Sequence, residues 1–108
     1  MIEKWNGENF EKRLKEAEGL AVVEFYTDTC PSCKTMGMIL EAIATEWAQS
    51  EPRVCFAQVN VAEEERLRKQ FQLRAVPTIL VFRRGKPVVE SVGSIGKGRL
   101  QELIRSAM

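Results

Sequence analysis

Two cysteines, Cys30 and Cys33, stand with only Pro31 and Ser32 between them in TDTCPSCKTM (27–36), and an acid, Glu24, interrupts the apolar run LAVVEFY just upstream. A Cys-x-x-Cys pair serves as half of a metal clip, as a static disulfide, or as a dithiol that cycles with its disulfide. A closed zinc site takes four ligands, usually thiolates and imidazoles. The chain has no histidine, and its only other cysteine is Cys55, so no metal is expected. A static disulfide belongs in an oxidising compartment. The polar, acidic start MIEKWNGENF does not resemble a secretory signal, which points to the cytoplasm and leaves the working redox pair.

Position strengthens that reading. Cys30 falls where a strand ends and a helix begins, the edge of an α/β sheet at which function collects. As the helix N-cap, its sulfur would accept hydrogen bonds from the Ser32 and Cys33 amides. Those bonds and the helix dipole favour thiolate over thiol. The Ser32 hydroxyl is a further donor in reach, and Pro31 suits the first helical position, where a missing N–H costs nothing. Cys33, one turn further in, would be shielded beneath Cys30 and poised to attack a mixed disulfide.

Two more residues invite a chemical role. A buried carboxylate is expensive unless paired or protonated. Glu24 either reaches solvent past the sheet edge or lies beneath the cysteines and exchanges a proton with Cys33. Pro77 cannot donate to a ladder, so it belongs at a strand start, where a cis bond after Val76 is compatible with the chain. Cys55 lies in the apolar run VCFAQVNV, where a free cysteine packs as a small hydrophobe.

The elements that position these residues alternate in type. A helix fits 7–18, capped by Asn6 and ended by Gly19, with room for a short strand before it. LAVVEFY (20–26) reads as a strand buried on both faces. A long helix follows from Pro31 to about Gln49, with Met36, Leu40, Ile43 and Trp47 on one stripe. Then come a strand over 54–61, a charged helix over 62–71, a strand over 78–82 and a hairpin partner over 87–92. Gly96 and Gly98 precede a last helix carrying Leu100, Leu103 and Ile104. Helical crossovers followed by a hairpin imply an α/β fold, a mixed central sheet with helices on both faces and an N-terminal βα extension.

The chain has 108 residues, 44% of them hydrophobic, so a single domain over 1–108 can build its own core. Sixteen basic and fifteen acidic side chains leave a formal charge of +1 with no basic block. That balance gives no reason to expect nucleic acid or an anionic membrane as partner. Apolar runs are too short to span a bilayer.

A strand, CxxCK at a helix start, AVPTILVF, and VGSIGKGRL before the last helix together resemble the thioredoxin family, over nearly the whole chain. The resemblance implies a thioredoxin fold and a monomeric disulfide oxidoreductase that reduces disulfides in protein substrates. It needs no cofactor beyond the redox-active Cys30–Cys33 disulfide and is recharged by a thioredoxin-reductase-like electron donor. It also implies Cys30 as nucleophile, Cys33 as resolving thiol and Glu24 at the place of the family's buried aspartate. Pro77 would be cis, with the Val76 backbone pairing an extended substrate and Gly93 on the rim around Cys30; Thr29, Pro31 and Ser32 would form the rest of the substrate-facing surface.

Several positions depart from the family's usual pattern. TCPSC replaces WCGPC, so Thr29 stands for a tryptophan, and Tyr26 for another. Gln58 stands where a lysine commonly neighbours the buried acid. Met38, beside Gly37, replaces a helix-kinking proline. A proline directly after the first cysteine resembles glutaredoxins, but the aromatic of CPYC is absent. A glutathione-dependent reductase and a non-catalytic binding module on the same fold are the alternatives.

Overall fold

β2 (Leu20–Tyr26) is apolar almost throughout because it lies at the centre of the sheet, hydrogen-bonded on both edges and covered on both faces. The computed structural model describes residues 2–108; Met1 of the expected domain lies outside them. β2 runs parallel to β3 (Val54–Asn60) on one side and antiparallel to β4 (Thr78–Arg83) on the other. β1 (Ile2–Trp5) adds to β3 in parallel, and β5 (Lys86–Val92) returns from β4 as a hairpin. The order is β1-β3-β2-β4-β5, the mixed sheet expected, and the short N-terminal strand is its β1 edge.

Side-chain alternation sorts the core into two layers. On one face, Val23, Phe25, Ala57, Val59, Leu80 and Phe82 meet α1 (Phe10–Glu16) and α3 (Glu65–Gln70) through Phe10, Leu14 and Leu67. Phe10 is central there, in edge or tilted contact with Trp5, Phe25, Phe71 and Phe82. On the other face, Val22, Phe56, Ile79 and Val81 meet α2 (Pro31–Trp47) and α4 (Lys97–Ser106). The stripe Met36, Leu40, Ile43 and Trp47 of α2 is buried in full.

Most element boundaries fall within a residue or two of expectation, and three of the differences concern named caps and turns. Asn6 does not cap α1. Its side chain accepts from the Glu8 and Asn9 amides and closes the turn that precedes the helix, which starts at Phe10 with Asn9 as N-cap. The charged helix keeps only Glu65–Gln70 of 62–71, because Asn60 Oδ1 takes the Ala62 N–H in a turn after β3. Gly98 lies inside α4, which begins at Lys97 after its N-cap Gly96.

Candidate active site

α2 starts one short loop after β2 ends, and that junction places the cysteines at the C-terminal edge of the central strands. Cys30 is the N-cap, in extended conformation at φ −112° and ψ 101°. Pro31 takes the first helical position, and the Cys30 carbonyl accepts from the Cys33 and Lys34 amides at 3.1 and 3.3 Å. Of the two amides expected to serve the Cys30 sulfur, that of Cys33 donates at 3.1 Å. Ser32 approaches with its hydroxyl instead, 3.5 Å from Cys30 Sγ. An N-cap side chain meets the amide three positions on with least distortion, which is Cys33 here.

Cys30 and Cys33 are joined as a disulfide, with Cα atoms 5.2 Å apart. Their surroundings differ sharply. Cys30 is half-buried at the rim, whereas Cys33 is 2% exposed and packs under the first turn. Only the outer sulfur can meet a protein-sized partner.

Glu24 is fully buried and does not reach solvent. It faces α2, as do Val22 and Leu20 two and four residues before it. Gly37 lies one turn beyond Cys33 on the same face of α2. A Cβ at Gly37 would come 3.3 Å from Glu24 Oε1 and 2.8 Å from Gln58 Nε2, so α2 passes directly over the acid. Glu24 Oε1 accepts from Gln58 Nε2 at 2.8 Å, while Oε2 is buried without a partner. Burial pushes the Glu24 carboxyl above its ordinary range; the Gln58 hydrogen bond and the nearby Lys4 charge act in the opposite direction. A buried carboxyl raised in this way and lying under the helix that carries Cys33 is suited to exchange a proton.

The opposite wall comes from the chain before β4. Phe25 pairs with Thr78, and Thr78 with Val92, so the residues just outside those positions emerge at the edge that carries Cys30. The Val76–Pro77 bond is cis. Thr78 Oγ1 donates to the Ala75 carbonyl at 2.7 Å and Gly93 N–H to the Pro77 carbonyl at 2.8 Å, pinning the segment from both sides. Gly93 has φ +88°, which glycine adopts without a Cβ penalty. Thr29 and Pro31 are exposed, and Ser32, Val76 and Gly93 half-buried, so this edge presents a shallow, accessible surface.

Cys55 is remote from it. It pairs with Ala21 near the start of β2, at the other end of the sheet, and packs against the α1 side of the core. Burial and the Glu3 charge push its thiol up to about 11. Met38, at the place of the family's kinking proline, is 72% exposed on the outer face of α2. Among the described residues, no three His, Cys, Asp or Glu side chains gather as a metal site, and no helix is long and apolar enough to cross a membrane.

One neighbour of the site escaped the sequence reading. Lys4 on β1 donates to Gln58 Oε1 at 2.9 Å and to the Tyr26 hydroxyl at 3.3 Å, with its ammonium 4.8 Å from the Tyr26 ring centroid. The missing cation beside the buried acid thus returns from another strand. The signal lies in the cross-strand register Lys4, Gln58, Glu24, which no local pattern encodes.

Comparison with known proteins agrees with this fold. The thioredoxin family profile matches residues 1–106. A thioredoxin of Chlamydia trachomatis is 33% identical over 104 residues, covering 96% of each chain. One of Acidithiobacillus ferridurans is 31% identical over 101 residues, 94% of this chain and 91% of the relative. The crystal structure of Fasciola hepatica thioredoxin superposes with a TM-score of 0.86 at 28% identity, covering 99% of this chain and all of that one.

Proposed function

This chain belongs to the thioredoxin family and is a thiol-disulfide oxidoreductase; from that premise we propose that it reduces protein disulfides in the cytoplasm, with Cys30 as nucleophile, Cys33 as resolving thiol and Glu24 as proton acceptor. The observation that carries the assignment is the asymmetry of the pair. Cys30 is at the rim with the Cys33 N–H on its sulfur, and Cys33 is buried beneath it.

The reaction follows from that arrangement. In the dithiol state, the Cys30 thiolate attacks one sulfur of a substrate disulfide, and the other substrate sulfur leaves as thiolate and takes a proton from solvent. Glu24 removes the Cys33 proton. The Cys33 thiolate then attacks Cys30 Sγ, the Cys30–substrate bond breaks, and the second substrate thiolate departs and is protonated. Two electrons pass to the substrate, leaving the Cys30–Cys33 disulfide. The helix N-terminus holds the Cys30 thiolate between encounters. An extended substrate strand pairs with the Val76 backbone beside Pro77, and Thr29, Pro31, Ser32 and Gly93 bound its path.

A dithiol that donates electrons needs a reducing compartment, which favours the cytoplasm. The sheet edges favour a monomer: β1 is four residues long, and β5 carries Lys86, Pro87 and a register shift. The electron donor we propose is a flavoprotein of the thioredoxin-reductase type. Insulin-disulfide reduction tests the reading, run once with such a reductase and NADPH and once with glutathione alone. Turnover sustained by the reductase is expected. Turnover sustained only by glutathione would make the chain glutaredoxin-like, and activity in neither, with a partner still bound by Cys30→Ser, would make it a binding module.

A further inference from the structure

Three strands contribute one residue each to a polar row that crosses the sheet under α2. Lys4 of β1 is in register with Gln58 of β3, and Gln58 with Glu24 of β2. The hydrogen bonds run along the row in one direction. Lys4 Nζ donates to Gln58 Oε1 at 2.9 Å, and Gln58 Nε2 donates to Glu24 Oε1 at 2.8 Å. An ammonium has donors only, so it fixes which end of the amide faces it. With Oε1 held by Lys4, the Gln58 NH2 group must point at Glu24. An amide so oriented stabilises a carboxylate; turned around, it would accept from a protonated carboxyl and stabilise the acid instead.

We propose that Lys4 is a positioning residue for the redox reaction: by locking the Gln58 amide with its NH2 toward Glu24, it holds Glu24 in the ionised form able to take the Cys33 proton. Gly37 makes this possible. A Cβ there would lie 2.8 Å from Gln58 Nε2, inside the space the locked amide occupies. Tyr26 steadies the other end, its hydroxyl accepting from Lys4 and its ring lying under the ammonium.

The groups around Glu24 limit what else can act on it. β1 presents Lys4, β3 the neutral Gln58 and β4 the apolar Ile79; its own strand presents Tyr26 on the same face. α2 contributes Cys33 and Gly37 and, at its exposed edge, Glu41; the buried residues of α4 are Leu100 and Ile104. Lys4 is the cation hydrogen-bonded into the row. It is also exposed, so its replacement leaves both core layers intact.

The inference rests on Glu24 as proton acceptor, but its test separates the two. The Glu24 side-chain carboxyl carbon is followed by NMR through a pH titration of the oxidised protein, assigned with Glu24→Gln, so no turnover is required. Lys4→Met should move the Glu24 midpoint upward, and Lys4→Arg should restore it. Gln58→Met should also move it upward and leave Lys4→Met with a smaller further effect. In single-turnover resolution of a Cys30 mixed disulfide, Lys4→Met should shift the pH profile in the same direction and slow the step about threefold at neutral pH, the scale of one exposed charged contact. An unmoved Glu24 midpoint in Lys4→Met would overturn the proposal. So would an equal shift with and without Gln58, which would make Lys4 a bare charge rather than an amide lock, or an Arg variant that behaves as Met. A shifted midpoint with unchanged resolution kinetics would refute the proton-acceptor role of Glu24 and, with it, the functional half of the inference.

Discussion

Replacing Glu24 by leucine should stabilise the protein while impairing it, and the gain should depend on pH. The carboxyl is fully buried, with one oxygen bonded to Gln58 and the other without a partner. A buried polar atom left unpaired costs about 1–3 kcal/mol, and an ionised group costs more. Leucine has similar volume and fills the same space beside Val22 and Ile79. Against this stands the lost Gln58 hydrogen bond, about 1 kcal/mol; Gln58 is only half-buried, so its amide can rehydrate. The balance is a stabilisation of about 1–3 kcal/mol at neutral pH, or about 4–13 °C in Tm for a chain of 108 residues. Burial raises the Glu24 carboxyl above its ordinary 4.5 in the folded state. Stability from the protonated form is therefore fully present below about 4.5 and declines as pH rises through the folded value. The leucine variant lacks that decline, so its advantage should be smallest near pH 4 and grow toward neutrality. Urea denaturation of the oxidised proteins at several pH values reads this directly. A leucine variant less stable than wild type at neutral pH, or an advantage independent of pH, would refute the reasoning.

Further substitutions probe other parts of the site. Glu24→Gln should slow resolution of the mixed disulfide more than its formation, because an amide cannot take the Cys33 proton; stopped-flow fluorescence with a labelled disulfide separates the two steps. Ser32→Ala removes the hydroxyl 3.5 Å from Cys30 Sγ. It should raise the Cys30 pKa and make the pair more reducing by about 10–30 mV, the equivalent of one ordinary hydrogen bond of about 0.5–1.5 kcal/mol, as read by equilibration with glutathione. Gly93→Ala forces a side chain onto φ +88° and should cost about 1 kcal/mol while raising KM for a protein disulfide more than it lowers kcat. Cys55, with its thiol pushed up to about 11, should resist iodoacetamide at pH 8 while Cys30 of the reduced protein reacts, and Cys55→Ser should leave insulin reduction unchanged.

Much of the site is written in short segments. The placement of Cys30 needs only a buried strand, a tight loop and Pro31, and all of these lie within fifteen residues. The α2 stripe repeats at helical spacing, so its burial follows from periodicity. Glu24 stands out because a charge interrupts an otherwise apolar run. What was not legible depends on register. Lys4 lies 54 residues from Gln58, on a strand too short for alternation to announce it. Nothing around position 4 distinguishes it from any surface lysine until β1 is laid against β3. The Asn6 misassignment has a similar source. Asn6 and Asn9 are both good caps, and the choice between them is made by the turn that packs Trp5 against Phe10.

The most direct test of the division of labour between the two cysteines is trapping. Each single serine variant is mixed with a protein disulfide, quenched, and analysed by mass spectrometry for a covalent adduct. Cys33→Ser should accumulate a mixed disulfide through Cys30, and Cys30→Ser should form little adduct, because Cys33 is 2% exposed. Accumulation through Cys33 in Cys30→Ser, with none in Cys33→Ser, would reverse the roles and contradict the account.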